Sequence, residues 1–270
     1  MIKKILIPTS GFGNEDHIIN YTAKVFPFAT YHLVYVIDAY QRGLQLNNLL
    51  YQEYKKLADN AIEHAMNKLQ EEGINNINSK ILEGIPSKTL VKYSKRKDID
   101  LIATGVYNRK STCSINQMGS TVKNIIAHST IPVLTLANDT DKSQIKSILF
   151  TTDGTRKTRW AKNFTFIFAS YLHAKLEVFT ALDDEKERNF AKKILEDIEW
   201  KASFLNVEVK KTIKKGDTVE KILECAKGND VIIMGCGRHF LFWQTIGHVT
   251  KKIACSSPIP VIFVPHYKKR

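Results

Sequence analysis

The chain repeats itself, and that constrains its fold more than any other feature. "KKILIPTSG" (3–11) returns as "KSILFTTDG" (146–154), and "DIDLIATGVYNR" (98–109) is answered by "GNDVIIMGCGRH" (228–239). Gly119-Ser120 then corresponds to Gly247-His248, and "STIPVLTLAND" (129–139) to "SPIPVIFVPH" (257–266). Cues that recur in the same order imply a duplicated unit. In each copy, short β-branched apolar runs alternate with helical patterns, which is the signature of α/β units around a parallel sheet covered on both faces. The expected strands are 3–8, 31–37, 77–82, 100–104 and 132–136, then 147–152, 174–181, 206–213, 230–234 and 260–264. Between the second and third strands, Leu46, Leu49, Leu50, Leu57, Ala61, Met66 and Leu69 recur at helical spacing, an expected core-facing stripe that stops at Gly73.

Two domains are therefore expected, 1–138 and 147–270, each with a five-stranded parallel sheet. The short polar stretch 139–146 within "NDTDKSQIKS" reads as the linker. A hydrophobic content of 43% over 270 residues is enough for both cores. No run approaches the roughly 20 apolar residues of a membrane span, and "MIKKILIPTS" leads into a strand, so a cytoplasmic protein without a membrane partner is expected. The net charge of +13 raises the question of nucleic acid. It is concentrated only in "KYSKRKD" (92–98), "KKTIKK" (210–215) and "HYKKR" (266–270), without interleaved aromatics, so these read as solvated faces. Cys113, Cys225, Cys236 and Cys255 show no CxxC spacing and read as free thiols.

In a doubly wound sheet, ligands bind beyond the carboxyl ends of the strands where strand order reverses. That points to Pro8, Thr9 and Ser10 after the first strand, Val36 at the second, and Thr104, Gly105, Tyr107 and Asn108 after the fourth. Gly119, Ser120, Thr121 and Val122 open the next helix. Free backbone amides and hydroxyls there suit a phosphate, with Arg109, Lys110 and Lys123 nearby to neutralise its charge. The same residues also suit an ordinary helix cap, in which Ser or Thr satisfies orphan amides and no ligand is involved.

The openings "KKILIPTSG" and "SILFTTDGT", the glycine after the fourth strand and the Gly-Ser turn resemble the universal stress protein family, in a tandem form spanning essentially the whole chain. The resemblance implies two Rossmann-like domains of the adenine nucleotide α-hydrolase type. It also implies ATP or another adenine nucleotide as ligand, possibly with Mg, and a stress-sensing or regulatory role. Many family members carry G-x2-G-x9-G-(S/T) and bind ATP, with an Asp after the first strand contacting ribose. Both copies depart from this pattern. In the first, Asn108 stands for the second Gly, ten residues (109–118) precede Gly119, and the Asp is Ser10. In the second, Asp153 follows Thr152, and Gly235, Gly237 and Arg238 form the loop, but the bulky "HFLFWQTI" leads to Gly247 and His248 replaces the hydroxyl. The nucleotide is therefore expected in the first copy, with a weaker site at those residues together with Ala181 and Met234.

No catalytic residue is expected. The histidines fall at 17, 32, 64, 128, 173, 239, 248 and 266, with neither HxxxH nor HExxH spacing, so at most slow ATP hydrolysis is implied. A scaffold is the remaining class. The apolar last strands, "IPVLTLA" and "IPVIFVP", read as exposed edges. By the resemblance, they pair either within the chain, as an intramolecular pseudo-dimer, or between chains, as a homodimer.

Overall fold

The computed structural model describes residues 2–11, 15–38, 48–106, 118–140, 142–155, 158–236 and 246–266. The first half runs β1 (Lys4–Thr9), α1 (Asp16–Val25), β2 (Thr30–Ile37), α2 (Asn48–Glu71), β3 (Ile77–Glu83), α3 (Pro86–Arg96), β4 (Leu101–Gly105), α4 (Ser120–His128) and β5 (Val133–Leu136). The second runs β6 (Ser147–Thr151), α5 (Arg159–Leu172), β7 (Lys175–Leu182), α6 (Arg188–Ser203), β8 (Val209–Lys215), α7 (Thr218–Ala226), β9 (Val231–Cys236), α8 (His248–Ser256) and β10 (Val261–Pro265). All ten expected strands are present, with ends shifted by at most three residues. Within each half the strands are parallel.

The order across the sheet is β3-β2-β1-β4-β5-β10-β9-β6-β7-β8. Each half thus has five parallel strands, and the two sets join into one ten-stranded sheet through an antiparallel pair, Val261 opposite Thr135 and Phe263 opposite Val133. The expectation that the last strands are exposed edges is corrected. Every residue of β5 and β10 is buried, because each strand covers the other's unpaired amides and carbonyls.

The period-two alternation of the strands separates two cores. Ile5, Ile7, Ile148 and Phe150 pack under α1, α2, α5 and α6, whereas Leu6, Leu149, Ile232 and Phe263 pack under α3, α4, α7 and α8. Phe26, after α1, meets Phe168 of α5 with ring centroids 6.4 Å apart, tying the halves together on one face. The stripe expected on α2 is partly corrected. Leu49 and Leu57 are exposed, Leu46 lies outside the described residues, and the core face is Ala58, Ala61, Ile62, Ala65 and Leu69. That set keeps strict i, i+3, i+4, i+7 spacing, which Leu49 and Leu57 do not share.

One device recurs at the amino ends of the strands. Asp100, just before β4, accepts from the amides of Lys3 (2.8 Å) and Lys4 (2.9 Å), so its carboxylate holds β1 beside β4. Asp230, just before β9, accepts from the amides of Lys146 and Ser147 and from Ser147 Oγ, each at 2.9 Å, and from Lys142 Nζ at 2.6 Å. Burial alone would push the Asp230 carboxyl up, but these hydrogen bonds together outweigh it and hold it below the usual carboxylate range. A depressed carboxylate contributes stability that is present above its unfolded-state value and is lost as pH falls through the folded one. Asp230→Asn should therefore cost about 2 kcal/mol in neutral-pH denaturation. The gap to the parent should narrow below about pH 4, where the parent begins to lose the same interaction.

Candidate functional site

Strand order reverses between β1 and β4, and a cleft of ≈ 360 Å³ opens there at the carboxyl ends of the strands. Every described residue proposed for the first copy lines it: Pro8, Thr9, Ser10, Val36, Thr104, Gly105, Gly119, Ser120, Thr121 and Val122. Tyr107, Asn108, Arg109 and Lys110 lie outside the described residues. Lys123 is not part of the lining, and none of the described lining residues is Lys, Arg or His.

The first strand delivers Thr9 and Ser10 to the cleft and then turns at Gly11. This turn needs glycine, since φ is +73° and a Cβ would sit 3.1 Å from Ala61 Cβ on α2. On the opposite wall α4 begins. Its cap residue is Gly119, which makes no side-chain cap, so the reading of Ser120 and Thr121 as ordinary capping hydroxyls is not what the helix adopts. They occupy its first turn instead. There the amides have no helical carbonyl to bond and the helix dipole favours an anion.

Thr9 distinguishes the cleft most sharply. It is only 6% exposed, and its Oγ1 is one of three buried side-chain polar atoms without a hydrogen-bond partner among the described residues, the others being Tyr21 Oη and His266 Nδ1. Of the three, only Thr9 lines the cleft. A buried hydroxyl left unpaired costs about 1–3 kcal/mol, and here that cost falls on a residue lining the cleft.

Sequence reasoning missed Glu15, Asp38 and Tyr54, which also line the cleft. Glu15 precedes α1 and is 4% exposed, and its carboxylate accepts from the amides of Ser10 and Gly11. Its signal was the acidic pair Glu15-Asp16 where a helix begins. Asp38 could have been found as the residue directly after β2. Among the described residues no group of His, Cys, Asp and Glu could hold a metal ion.

The second copy is built differently at the matching positions. Thr152, the counterpart of Thr9, is satisfied: its Oγ1 accepts from the Gly154 amide (3.0 Å) and shares a hydrogen bond with Thr158 Oγ1 (3.0 Å). Asp153 turns onto the Thr155 amide at 2.9 Å. Ile194 of α6 sits against Gly154, where a Cβ would come within 2.2 Å of its Cδ1. Met234 is buried, and Gly235 packs against Thr158. Ala181 is half-buried on β7, Gly247 caps α8 without a side chain, and His248 is exposed. Gly237 and Arg238 lie outside the described residues. Cys225, Cys236 and Cys255 are buried and in no disulfide among the described residues, and Cys113 lies outside them.

A family model described as the universal stress protein family matches residues 1–136. A universal stress protein of Methanocaldococcus jannaschii is 30% identical over 142 residues, covering 50% of this chain and 81% of that relative. The chain belongs to the universal stress protein family. Among solved structures, a universal stress protein from Archaeoglobus fulgidus DSM 4304 superposes with a TM-score of 0.81 at 18% identity, covering 100% of this chain and 98% of that one. A protein of unknown function from Pseudomonas aeruginosa PAO1 gives a TM-score of 0.63 at 15% identity, covering 98% and 93%. These two likenesses extend the family's fold over both halves of the chain.

The contrast between Thr9 and Thr152 has a measurable consequence. Thr9→Val removes a buried, unpaired hydroxyl and should raise thermal stability by about 1 kcal/mol in ligand-free protein. Thr152→Val leaves the Gly154 amide without its partner, while Thr158 keeps its bond to the Thr155 carbonyl, and should lower it by about as much. Parallel melting curves of the two variants check both signs.

Proposed function

We propose that the first half binds an adenine nucleotide and that the protein acts in the cytoplasm as a nucleotide-responsive regulatory module. The observation that carries this reading is Thr9, a residue with a buried, unpaired Oγ1, in the lining of a cleft at the strand-order reversal. The opposite wall of that cleft supplies the amides at the start of α4. The base and sugar fit between the ends of β1 and β2, and the phosphates lie toward Gly119, Ser120 and Thr121, with any Mg arriving on the nucleotide. Domain limits of 1–138 and 147–270 go with this reading. The second half holds its ligand more weakly or not at all, because Thr152 and Asp153 already accept from the turn's own amides, Gly154 and Thr155, and Ile194 packs on Gly154.

A second reading, a scaffold, draws support from the β5–β10 pairing. In it the chain is a built-in pair whose halves are held about their last strands, and nucleotide is incidental.

Calorimetric titration of ATP into the full-length chain separates the two. Gly119→Asp places a carboxylate at the proposed phosphate turn, at a cap position where Asp supports the helix. It should weaken binding at least about tenfold by charge repulsion alone. Gly247→Asp should leave the affinity unchanged. Binding lost in Gly247→Asp but kept in Gly119→Asp would move the site to the second half, and no heat with the parent would leave the scaffold reading.

A further inference from the structure

Equivalent helices of the two halves expose different amounts of apolar surface. Among the described residues, seven of the eleven exposed large apolar side chains lie between Trp160 and Leu205, on α5, α6 and the turn after α6. On α5 they are Trp160, Ile167 and Tyr171. On α6 they are Phe190 and Trp200, continued by Phe204 at its C-cap. Steps of seven and four residues on the first helix, and of ten and four on the second, put each set on one outward stripe. The matching helices of the first half, α1 and α2, expose only Leu49 and Leu57 among their described large apolar residues.

The two stripes are neighbours. Lys162 of α5 lies 3.4 Å from Asp197 of α6, and Ser170 Oγ donates to the Leu205 carbonyl at 3.1 Å. Contacts thus advance together along both helices, which run side by side in the same direction. Asp197 also pairs with Lys201, and Trp200 stands edge-on to Phe204 with ring centroids 4.8 Å apart. The result is one face on which aromatic rings flank a Lys162–Asp197–Lys201 cluster. Single exposed apolar residues are ordinary, but a contiguous group of this size marks an interaction surface.

Charge selects the partner. Residues 159–205 carry eight basic and eight acidic side chains on a chain of net charge +13, so the whole positive excess lies elsewhere. An anionic lipid surface or a nucleic acid is drawn to those other surfaces. A second copy, itself at +13, meets the least repulsion at the neutral one. The signs are also segregated along α6, with Arg188, Lys192 and Lys193 in its first half and Glu196, Asp197 and Glu199 in its second. A two-fold axis lying across the helices sets the first half of one α6 against the second half of the other, which brings opposite charges together. The last strands of the sheet are already paired with each other and offer no edge at the seam to another chain.

We propose that the α5–α6 face is the interface of a homodimer, in which two copies pack these helices antiparallel about a two-fold axis. The inference stands apart from the nucleotide reading.

The test is sedimentation equilibrium of the full-length chain over the micromolar range, with melting curves to establish that each variant is folded. The parent should show twice the monomer mass. The double variant Trp200→Glu/Phe204→Glu, at two exposed positions, should weaken the association at least about thirtyfold, because a two-fold interface contains each residue twice. Leu49→Glu/Leu57→Glu, on the matching helix of the first half, should leave it unchanged. A parent that is monomeric throughout the range overturns the proposal. A dimer that Trp200→Glu/Phe204→Glu leaves intact also overturns it, since its interface then lies elsewhere. Phosphatidylglycerol vesicles supply the competing occupant: a monomeric parent that pellets with them, and fails to do so in Trp200→Glu/Phe204→Glu, gives the face to a lipid surface instead.

Discussion

The antiparallel pairing of β5 with β10 is the contact on which the rest of the architecture depends. Both strands are apolar on both faces and buried along their whole length, so neither half could leave its last strand at a free edge without exposing a row of unpaired backbone groups beside a hydrophobic face. Joining the strands solves the problem twice with one set of hydrogen bonds. Phe26 and Phe168 then close one face of the joint, and Ile126, whose carbonyl lies 3.9 Å from Cys236 Sγ, closes the other. With the middle of the sheet fixed in this way, the reversal point between β1 and β4 becomes a stable floor for a cleft, and Asp100 holds those two strands together from the opposite end.

Duplication has left the two halves with the same skeleton and different turns. After β1, the glycine turn packs on the small Ala61, and the threonine before it keeps an unsatisfied hydroxyl. After β6, the same turn packs on the larger Ile194, and its threonine is tied into a local network. The halves differ in the side chain that the long helix presents to the turn, Ala61 or Ile194, and in the residue just before the first helix, Glu15 or Thr158. The strands beneath the turns are not involved.

Much of this was legible in the sequence. The repeat, the strand positions and the first-half cleft residues follow from periodicity and from the rule that ligands sit at strand-order reversals, both of which are local or topological properties of a parallel sheet. What the sequence concealed depends on side chains meeting across distance. Nothing in "PTSGFGNEDH" says that Glu15 folds back onto Ser10. Leu49 and Leu57 look like core residues until the register of α2 is fixed by Ala58, Ala61 and Ala65. The last strands looked like edges because a partner far along the chain leaves no mark in local hydropathy.

Because the halves are parallel internally and antiparallel at their seam, every strand of one half runs against every strand of the other. The molecule therefore has two poles. The Thr9 cleft opens at one, and the Thr152 turn lies at the other. Whatever occupies one pole lies across the sheet from the other, and a surface laid against one leaves the other bare. Each half is thus an internal control for its twin, with the same fold, the same chain and the same solution, and an opposite heading.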